Sequence, residues 1–336
     1  MAQIQPRVSV LLPVRDAGPT LPACLESLAA QSLADYEIVA VDDASRDDSW
    51  RQLDAAAASD PRIVPLRAGG RGLVAALNTA AAAARAPLLA RMDADDVSHP
   101  ERLGRQAHWL DAHPDVAILG CAVRVLGGAP GNAGMRSYVS WSNALLDHAA
   151  IVRDLWVESP LVHPSVMLRA DALRALGGYR AFDGPEDYDL WLRAHARGLH
   201  FAKLPEILLD WRDAPGRLTR SDPRYAAERF RLLKIEAIEA GPLRRPRAVV
   251  VWGAGPIGKG WARELRRRGH AVAAFVEVDP RKIGQHIHGA AVVDLSAAGG
   301  FPGALHLAAV GHAEARERIR AAAGRLGIVE DLVAVA

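Results

Sequence analysis

The chain has 336 residues, of which 50% are apolar and 24% are charged, and its formal net charge is +2. This length allows two domains, and the composition is that of a folded protein rather than a disordered chain. The near-neutral charge gives no reason to expect nucleic acid as a partner, and the two cysteines, Cys24 and Cys121, have no metal-binding spacing.

The first hundred residues alternate short apolar runs with amphipathic segments. Strands are predicted at Val8–Val14, Glu37–Val41, Ile63–Leu66 and Leu88–Met92, and helices at Thr20–Gln31, Asp47–Ala58 and Leu73–Ala84. This order predicts an α/β fold with an open, mostly parallel sheet and helices on both faces. In such sheets, ligands bind beyond the carboxyl ends of the strands.

The middle of the chain combines several predicted helices with a further apolar run at Val116–Val125. Helices are expected at Pro100–Ala112, Ser140–Val152, Ala170–Leu176, Glu186–Ala196 and Tyr225–Ala240, with a glycine-rich loop at Gly127–Gly134. Gly177 and Gly178 supply the residues that commonly end a helix.

A second pattern begins after the basic stretch Leu243–Arg247, which is typical of a linker. Strands are predicted at Ala248–Trp252, Val272–Val276, Leu305–Val310 and Val329–Val335, and helices at Ile257–Arg268 and Ala313–Arg325. We therefore expect a first domain at residues 1–240, a linker at 241–247 and a small Rossmann-like α/β domain at 248–336.

The start of this C-terminal domain carries a glycine motif between a predicted strand and a predicted helix. Gly253, Gly255 and Gly258, with Glu277 after the next strand, match the dinucleotide-binding fingerprint. These residues could bind NAD(P) or another nucleotide. Alternatively, the glycines serve only close packing of strand and helix. Hydride transfer is less expected, because no catalytic partner is evident.

Three acidic clusters carry the strongest functional signal. The first is DDAS, with Asp42 and Asp43 at a predicted strand end. These carboxylates could accept a hydrogen bond from a nucleotide base, or they could cap the next helix.

The second cluster is MDADD, which contains Asp93 and Asp95. Two carboxylates in one turn offer the oxygen ligands that Mg²⁺ and Mn²⁺ prefer, and Mg²⁺ at such sites usually also binds substrate phosphates. The alternative is a polar turn in which Asp96 or Ser98 caps the following helix.

The third cluster is PEDYDLWLR, in which Glu186 and Asp187 fall in the first turn of a predicted helix. Acidic residues are favoured there by the helix dipole. A carboxylate in this position could also act as a general base toward an acceptor hydroxyl.

Taken together, these segments resemble the family 2 glycosyltransferases, which have the GT-A nucleotide-diphospho-sugar transferase fold. The resemblance covers roughly residues 7 to 235. It is carried by VSVLLPVRDAGPTLPACLESLAAQSLADYEIVAVDDAS, GLVAALNTAAAAARAPLLARMDADDVSHPERLGRQ, HPSVMLRADALRALGGYR and GPEDYDLWLRAHARG.

The resemblance implies a role for each cluster. Asp43, with Asp42 beside it, would contact the nucleotide base, expected to be uracil. Asp93 and Asp95 would form the D-x-D motif, with Asp95 as the direct ligand of Mn²⁺ or Mg²⁺. Asp187 would be the catalytic base, supported by Glu186, in a direct displacement that inverts the anomeric carbon.

The sequence departs from the family pattern at two places that touch the nucleotide in relatives. Many relatives have an aromatic residue and Asn after the proline of the first strand, whereas Pro13 is followed here by Val14 and Arg15. An Asn-x-Gly loop is replaced by Arg71 and Gly72. Each arginine could contact phosphate, although a surface charge is the favoured interpretation.

Further residues come from the later part of the resemblance. His163 could contact the diphosphate or the acceptor, or it could be a buried structural histidine. The segment Trp211–Arg220 resembles a flexible segment that follows the last strand in the family. Trp211 in it could contact the acceptor or the diphosphate, and Arg217 or Arg220 could bind phosphate or be a surface charge.

We therefore expect an inverting, metal-dependent transferase that moves sugar from a nucleoside-diphosphate sugar to a glycan or lipid-linked acceptor. The alternatives are an NAD(P)-dependent oxidoreductase and a nucleotide-sugar-binding regulator, each using the C-terminal domain. The first residues do not have the pattern of a signal peptide, so none is expected, and no apolar stretch reaches about 18 residues. A cytoplasmic location is thus expected, with any membrane contact peripheral.

Overall fold

The computed structural model describes residues 5–127, 133–213 and 222–336. The chain divides into two compact units. The first contains the chain up to Ile151 together with Pro160–Ala226, and the second contains Val152–Ser159 together with Ala227–Ala336. The helix at Ala227–Ala240 thus groups with the second unit, although the sequence assigned it to the first domain. The division into domains at 1–240 and 248–336 stays a prediction.

In the first unit, the described strands form one sheet in the order β3-β2-β1-β4-β7-β6-β8-β5. The strands are β1 Val8–Val14, β2 Tyr36–Asp42, β3 Ile63–Arg67, β4 Leu88–Arg91, β5 Val97–Ser98, β6 Val116–Gly127, β7 Met167–Arg169 and β8 His200–Asp213. The first four strands in this order, β3, β2, β1 and β4, are parallel to one another, and β6 is parallel to β8. Strand β7 runs antiparallel to β4 and β6, and β5 runs antiparallel to β8. The predicted α/β fold with a mostly parallel sheet is confirmed.

The helices of this part of the chain agree with the sequence pattern in most places. They are α1 Leu21–Ala29, α2 Ser49–Ser59, α3 Leu73–Ala83, α4 Arg102–Ala112, α5 Ala133–Asn143, α6 His148–Asp154, α7 Ala170–Ala175 and α8 Glu186–Ala196.

Three expectations for this region were wrong. The single helix predicted at Ser140–Val152 is the end of α5 followed by α6. Gly134, predicted to lie in a loop, belongs to α5, and residues 128–132 of that loop lie outside the described residues. Trp211, expected in a flexible segment after the last strand, lies in β8.

The sheet places the ends of its central strands at one edge. All seven residues of β1 are buried, as expected for a strand covered on both faces. In the register of the parallel pairs, Val14 of β1 lies opposite Asp42, and Leu11 lies opposite Arg91. The segments that leave β2 and β4 therefore begin at the same edge of the sheet.

The second unit contains a smaller sheet in the order β11-β12-β10-β9-β13-β14. Its elements are α9 Ala227–Ala240, β9 Val249–Trp252, α10 Pro256–Arg267, β10 Val272–Val276, β11 His286–Ile287, β12 Ala290–Val293, β13 Leu305–Ala308, α11 Ala313–Leu326 and β14 Leu332–Ala334. All its neighbouring strands are parallel except β11 and β12. Among the described residues, no helix has the length and apolar character needed to cross a membrane.

Candidate active site

Asp42 and Asp43 form the first part of the site, at the end of β2. Both are almost fully buried. Oδ2 of Asp43 accepts hydrogen bonds from the backbone N–H of Gly72 at 2.9 Å and from Nη1 of Arg15 at 3.2 Å. Oδ1 of each carboxylate is buried and has no hydrogen-bond donor among the described residues. Buried polar atoms are normally paired, so these two oxygen atoms are candidate acceptors for a ligand.

The second part of the site follows β4. Asp93, Asp95 and Asp96 each offer a carboxylate oxygen, and these atoms lie within 4.8 Å of one another. The alternative of a helix-capping turn is wrong, because Glu101 is the N-cap of α4 and makes no side-chain capping bond. Instead, Oδ1 of Asp96 accepts a 2.7 Å hydrogen bond from the backbone N–H of Arg212 in β8.

The charges within this cluster oppose one another. Asp96 is 1% exposed, and burial raises its pKa well above the ordinary range, with further increases from the charges of Asp93 and Asp95. Oδ2 of Asp96 is buried without a donor among the described residues. Three carboxyl groups this close together, one of which has a buried oxygen atom without a donor among the described residues, fit a divalent cation such as Mg²⁺ or Mn²⁺.

Arg91 connects this cluster to the rest of the site. It is the last residue of β4, is 2% exposed and forms an ion pair with Asp93. Burial opposes its charge, but Asp93, Tyr179 and Glu186 raise the pKa of Arg91 above its ordinary value. The charged guanidinium group of Arg91 therefore interacts electrostatically with Asp93 and with Glu186 at the start of α8.

The third part of the site is the first turn of α8. Glu186 is 4% exposed. Its Oε2 accepts a 2.7 Å hydrogen bond from the hydroxyl group of Tyr225, and its Oε1 lies 3.5 Å from Nδ1 of His163. Burial by itself raises the pKa of Glu186, but the interactions with His163 and Tyr225 outweigh it and lower the pKa to about 2. Glu186 is thus a buried, ionised carboxylate.

His163 is neutral and lies beside the ionised carboxylate of Glu186. Burial lowers the pKa of His163, and the nearby charge of Arg91 lowers it further, against the opposing effect of Glu186. Nε2 of His163 lies 3.0 Å from the hydroxyl oxygen of Tyr179. We assign the tautomer with Nδ1–H toward Glu186, which leaves Nε2 to accept from the Tyr179 hydroxyl. The interpretation of His163 as a buried, hydrogen-bonded histidine is the one that its surroundings favour.

Asp187 and Asp189 have different surroundings in the same helix. Asp187 is partly exposed, and its charge helps to raise the pKa of Tyr225, after the larger effects of burial and Glu186. Asp189 is buried between Arg180 and Arg193, with Nε of Arg193 at 2.7 Å. Asp187 is therefore accessible to solvent, whereas Asp189 is buried and paired with two arginines.

The other predicted residues of the first unit lie in several places. Pro13 and Val14 are buried in β1, at the same edge as Asp42. Gly72, the N-cap residue of α3, has a φ of 90° and donates to Asp43, whereas Arg71 is exposed and donates to the carbonyl group of Ala68.

Trp211 and Arg217 come from the last predicted segment. The ring of Trp211 lies 6.0 Å from that of Tyr138, measured between centroids. Arg217 lies outside the described residues.

In the second unit, the glycine motif is packed tightly. A Cβ atom on Gly258 would lie 1.9 Å from the carbonyl oxygen of Gly253, which itself has a φ of 102°. A Cβ on Gly255 would meet no atom within 4 Å. Glu277 accepts a hydrogen bond from the backbone N–H of Ala254 at 3.0 Å and forms an ion pair with Lys282 at 3.1 Å. Packing explains two of the glycines, and Glu277 already has protein partners.

Four residues that complete the site were not predicted from the sequence: Arg91, Tyr179, Arg212 and Tyr225. Arg91 and Tyr179 stood inside the quoted segments LLARM and GGYR, where a buried charge in a strand was the available signal for Arg91. Arg212 contributes its backbone N–H, which donates to Asp96, and its Nε, which donates to the carbonyl group of Asp95. No local signal marks Tyr225, which lies 39 residues from Glu186 in the chain.

Comparison with known proteins relates this chain to glycosyltransferases. The model of the family "Glycosyl transferase family 2" matches residues 9–177. EpsE of Bacillus subtilis strain 168, which carries a provisional glycosyltransferase name, is 31% identical over 228 residues, covering 66% of this chain and 79% of its own. The amylovoran biosynthesis glycosyltransferase AmsE of Erwinia amylovora is 32% identical over 191 residues, covering 56% of this chain and 69% of its own.

Solved structures show the same fold. TarS 1-349 of S. aureus, in complex with UDP-GlcNAc, has a TM-score of 0.57 at 19% identity and covers 70% of this chain and 67% of its own. The mannosyltransferase PcManGT of Pyrobaculum calidifontis, in complex with GDP-Man and Mn²⁺, has a TM-score of 0.52 at 20% identity, covering 73% and 66%.

Proposed function

The chain belongs to glycosyl transferase family 2, and we propose that it transfers a sugar from a nucleoside-diphosphate sugar to a hydroxyl acceptor in a metal-dependent reaction that inverts the anomeric carbon. The observation that carries the proposal concerns Arg91, which forms an ion pair with Asp93 and whose pKa, although lowered by burial, is raised by the charges of Asp93 and Glu186. The metal-type cluster after β4 and the candidate base at the start of α8 thus belong to one site.

The nucleotide is proposed to bind at the end of β2. Oδ1 of Asp42 and Oδ1 of Asp43 can accept hydrogen bonds from a base that presents an N–H group, as uracil does. Two related proteins support a uridine nucleotide: TarS is in complex with UDP-GlcNAc, and an E. coli relative, 27% identical over 221 residues, is named a UDP-Gal:α-D-GlcNAc-diphosphoundecaprenol β-1,3-galactosyltransferase. PcManGT with GDP-Man supports a guanosine nucleotide instead.

Asp95 is proposed to hold Mn²⁺ or Mg²⁺, with Asp93 and Asp96 beside it. A bound divalent cation would neutralise the charge of the leaving diphosphate. The protein contributes the fixed geometry: the backbone of Arg212 holds Asp96, Arg91 holds Asp93, and Nε of Arg212 donates to the carbonyl group of Asp95 at 2.6 Å.

Asp187 is proposed as the general base, and Glu186 as its support. The acceptor oxygen attacks the anomeric carbon as the bond from that carbon to the diphosphate oxygen breaks, and Asp187 takes the hydroxyl proton. Glu186 is better placed to support than to accept the proton, because it is buried and both of its oxygen atoms face His163 or Tyr225.

Release of nucleoside diphosphate from a panel of UDP-, GDP-, CDP- and dTDP-sugars, with glycan and lipid-linked acceptors, tests the proposal. We expect release with one nucleotide class, and a loss of at least about a hundredfold in kcat in Asp187→Asn, the size of a general-base contribution. The matched control is Asp171→Asn, since Asp171 is an exposed acid in the first turn of α7. Full activity in Asp187→Asn would contradict the assigned base.

The relatives also indicate which class of acceptor the chain uses. A glycan or lipid-linked acceptor is proposed because AmsE is named for amylovoran biosynthesis and the E. coli relative for a diphosphoundecaprenol acceptor. Binding of NAD(P) or another nucleotide at the Rossmann-like glycine motif stays a prediction. No second activity is proposed there, since Glu277 is bonded to Ala254 and Lys282.

A further inference from the structure

Arg91 places a positive charge next to a cluster of carboxylates that is proposed to bind a metal cation. It immediately precedes the MDADD segment, and its side chain is buried beside Asp93. Its Nε makes no hydrogen bond to the described residues. A buried charge destabilises the folded state unless an opposite charge compensates it. The charge of Arg91 is compensated by the carboxylate of Asp93, which also belongs to the cluster of Asp93, Asp95 and Asp96.

The charge balance of the cluster depends on this pair. Asp93, Asp95 and Asp96 together can carry three negative charges, and their oxygen atoms lie within 4.8 Å of one another. Arg91 cancels one of these charges from inside the protein. A divalent cation that enters the cluster is therefore attracted by the carboxylates and repelled by Arg91 at the same time.

We propose that Arg91 is a positioning residue that serves as the internal counter-ion of Asp93 and sets how strongly the cluster attracts a divalent cation. The proposal rests on the proposed function in one respect, namely that the cation binds at this cluster. In the absence of nucleotide, Arg91 keeps the affinity for the cation low. Tight binding then requires the additional negative charge of a nucleoside diphosphate, so cation and nucleotide bind together.

The test is a titration of the full-length protein with Mn²⁺ without nucleotide at pH 8, with free Mn²⁺ measured by electron paramagnetic resonance. Arg91→Met is expected to bind Mn²⁺ about tenfold or more tightly than wild type, because a unit charge a few ångströms away has at least that effect at an effective dielectric constant of about 20. Arg91→Lys keeps the charge and is expected to bind as wild type does.

Arg169→Met is the matched control for loss of an arginine. The guanidinium group of Arg169 is held by the carbonyl groups of Leu110, His113 and Val116, and no carboxylate pairs with it among the described contacts. Its Mn²⁺ affinity is expected to be that of wild type. Unchanged or weaker Mn²⁺ binding in folded Arg91→Met would overturn the inference.

A second comparison applies if Arg91→Met does not fold. Asp93→Asn leaves Arg91 uncompensated and is expected to weaken Mn²⁺ binding, whereas the double variant Arg91→Met/Asp93→Asn removes both charges and is expected to recover it. A double variant that binds Mn²⁺ as weakly as Asp93→Asn would overturn the inference.

The wild-type protein distinguishes this inference from the proposed function. Failure of wild type to bind Mn²⁺ with UDP, GDP, CDP or dTDP present would overturn the proposed metal dependence as well. Normal Mn²⁺ binding by wild type, without tighter binding in Arg91→Met, would overturn only the role of Arg91.

Discussion

The hydroxyl group of Tyr225 donates a 2.7 Å hydrogen bond to Oε2 of Glu186, the first residue of α8. The other carboxylate oxygen of Glu186 faces Nδ1 of His163. A residue from the segment before α9 and a residue from the turn before β7 thus hold the same carboxylate. Since Asp187 follows Glu186 directly, this arrangement also fixes the position of the proposed base.

Removing the Tyr225 hydroxyl group tests this relationship. Tyr225→Phe leaves a buried, ionised carboxylate with one donor fewer, and such a loss typically costs about 1–3 kcal/mol. We expect a decrease of that size in the free energy of unfolding, measured with denaturant, together with a lower kcat at unchanged affinity for nucleotide. Tyr36→Phe is the control, because the hydroxyl group of Tyr36 is also buried but donates to the carbonyl group of Leu28, at 2.6 Å, and not to a carboxylate. A larger loss of activity in Tyr36→Phe would contradict this role of Tyr225.

The ionisation of Glu186 predicts a dependence of stability on pH. Burial raises the pKa of Glu186, but His163 and Tyr225 lower it to about 2, below its value of about 4.3 in an unfolded chain. The unfolded state therefore binds the proton more readily, and the stabilisation is present above about pH 4.3 and lost as the pH falls toward 2.

Glu186→Gln cannot titrate and isolates this contribution. The difference in unfolding free energy between wild type and Glu186→Gln is expected to be largest near pH 7 and to shrink below about pH 4.3. Denaturant unfolding at pH 7, 5, 4 and 3 measures it. A difference that stays constant over this range would show that Glu186 is not held ionised by its neighbours.

The sequence predicted α8 from end to end because its apolar residues recur at helical spacing and its acids fall in the first turn. Strand β8 was missed, since its sequence HFAKLPEILLDWRD includes Pro205 and charged residues between its apolar positions. Its backbone is paired to β6 over most of its length. Such pairing between distant segments is a tertiary effect that overrides local propensity.

Two glycines of the second unit give a structural prediction independent of any ligand. A Cβ on Gly258 would overlap the carbonyl oxygen of Gly253 at 1.9 Å, whereas a Cβ on Gly255 would meet no atom within 4 Å and the φ of Gly255 is −83°. Gly258→Ala is expected to destabilise the second unit by about 2–4 kcal/mol, within the range for severe overpacking, and Gly255→Ala to have little effect. Thermal unfolding of both variants checks this, and equal stability would contradict the packing role.

The carboxylate of Asp43 gives a prediction for nucleotide binding. Asp43→Asn is expected to weaken the binding of the cognate nucleoside diphosphate about tenfold, since hydrogen bonds to charged groups contribute about 1.5–3 kcal/mol. Isothermal titration calorimetry measures the change. Asp16→Asn, at an exposed acid two residues after β1, is the control. Equal nucleotide affinities in wild type and Asp43→Asn would remove Asp43 from the nucleotide site.

The acidic residues of the site could be predicted from sequence, but its internal pairing could not. Asp42, Asp93 and Glu186 stood in recognisable local clusters at strand or helix ends. Arg91 was interpreted only as part of a strand, because nothing in LLARM shows that its guanidinium group turns toward Asp93. The contacts of Tyr225 depend on how distant segments meet, which a local pattern does not encode.

The most direct test of the account is thermal unfolding of wild type and Asp95→Ala with UDP, GDP, CDP, dTDP and NAD, each with and without Mn²⁺. A ligand at about 100 times its dissociation constant stabilises the folded state by about 2.7 kcal/mol, which is a readable shift. The account predicts a shift with one nucleoside diphosphate that requires Mn²⁺ and is lost in Asp95→Ala. A shift with NAD alone, independent of Mn²⁺ and retained in Asp95→Ala, would contradict it.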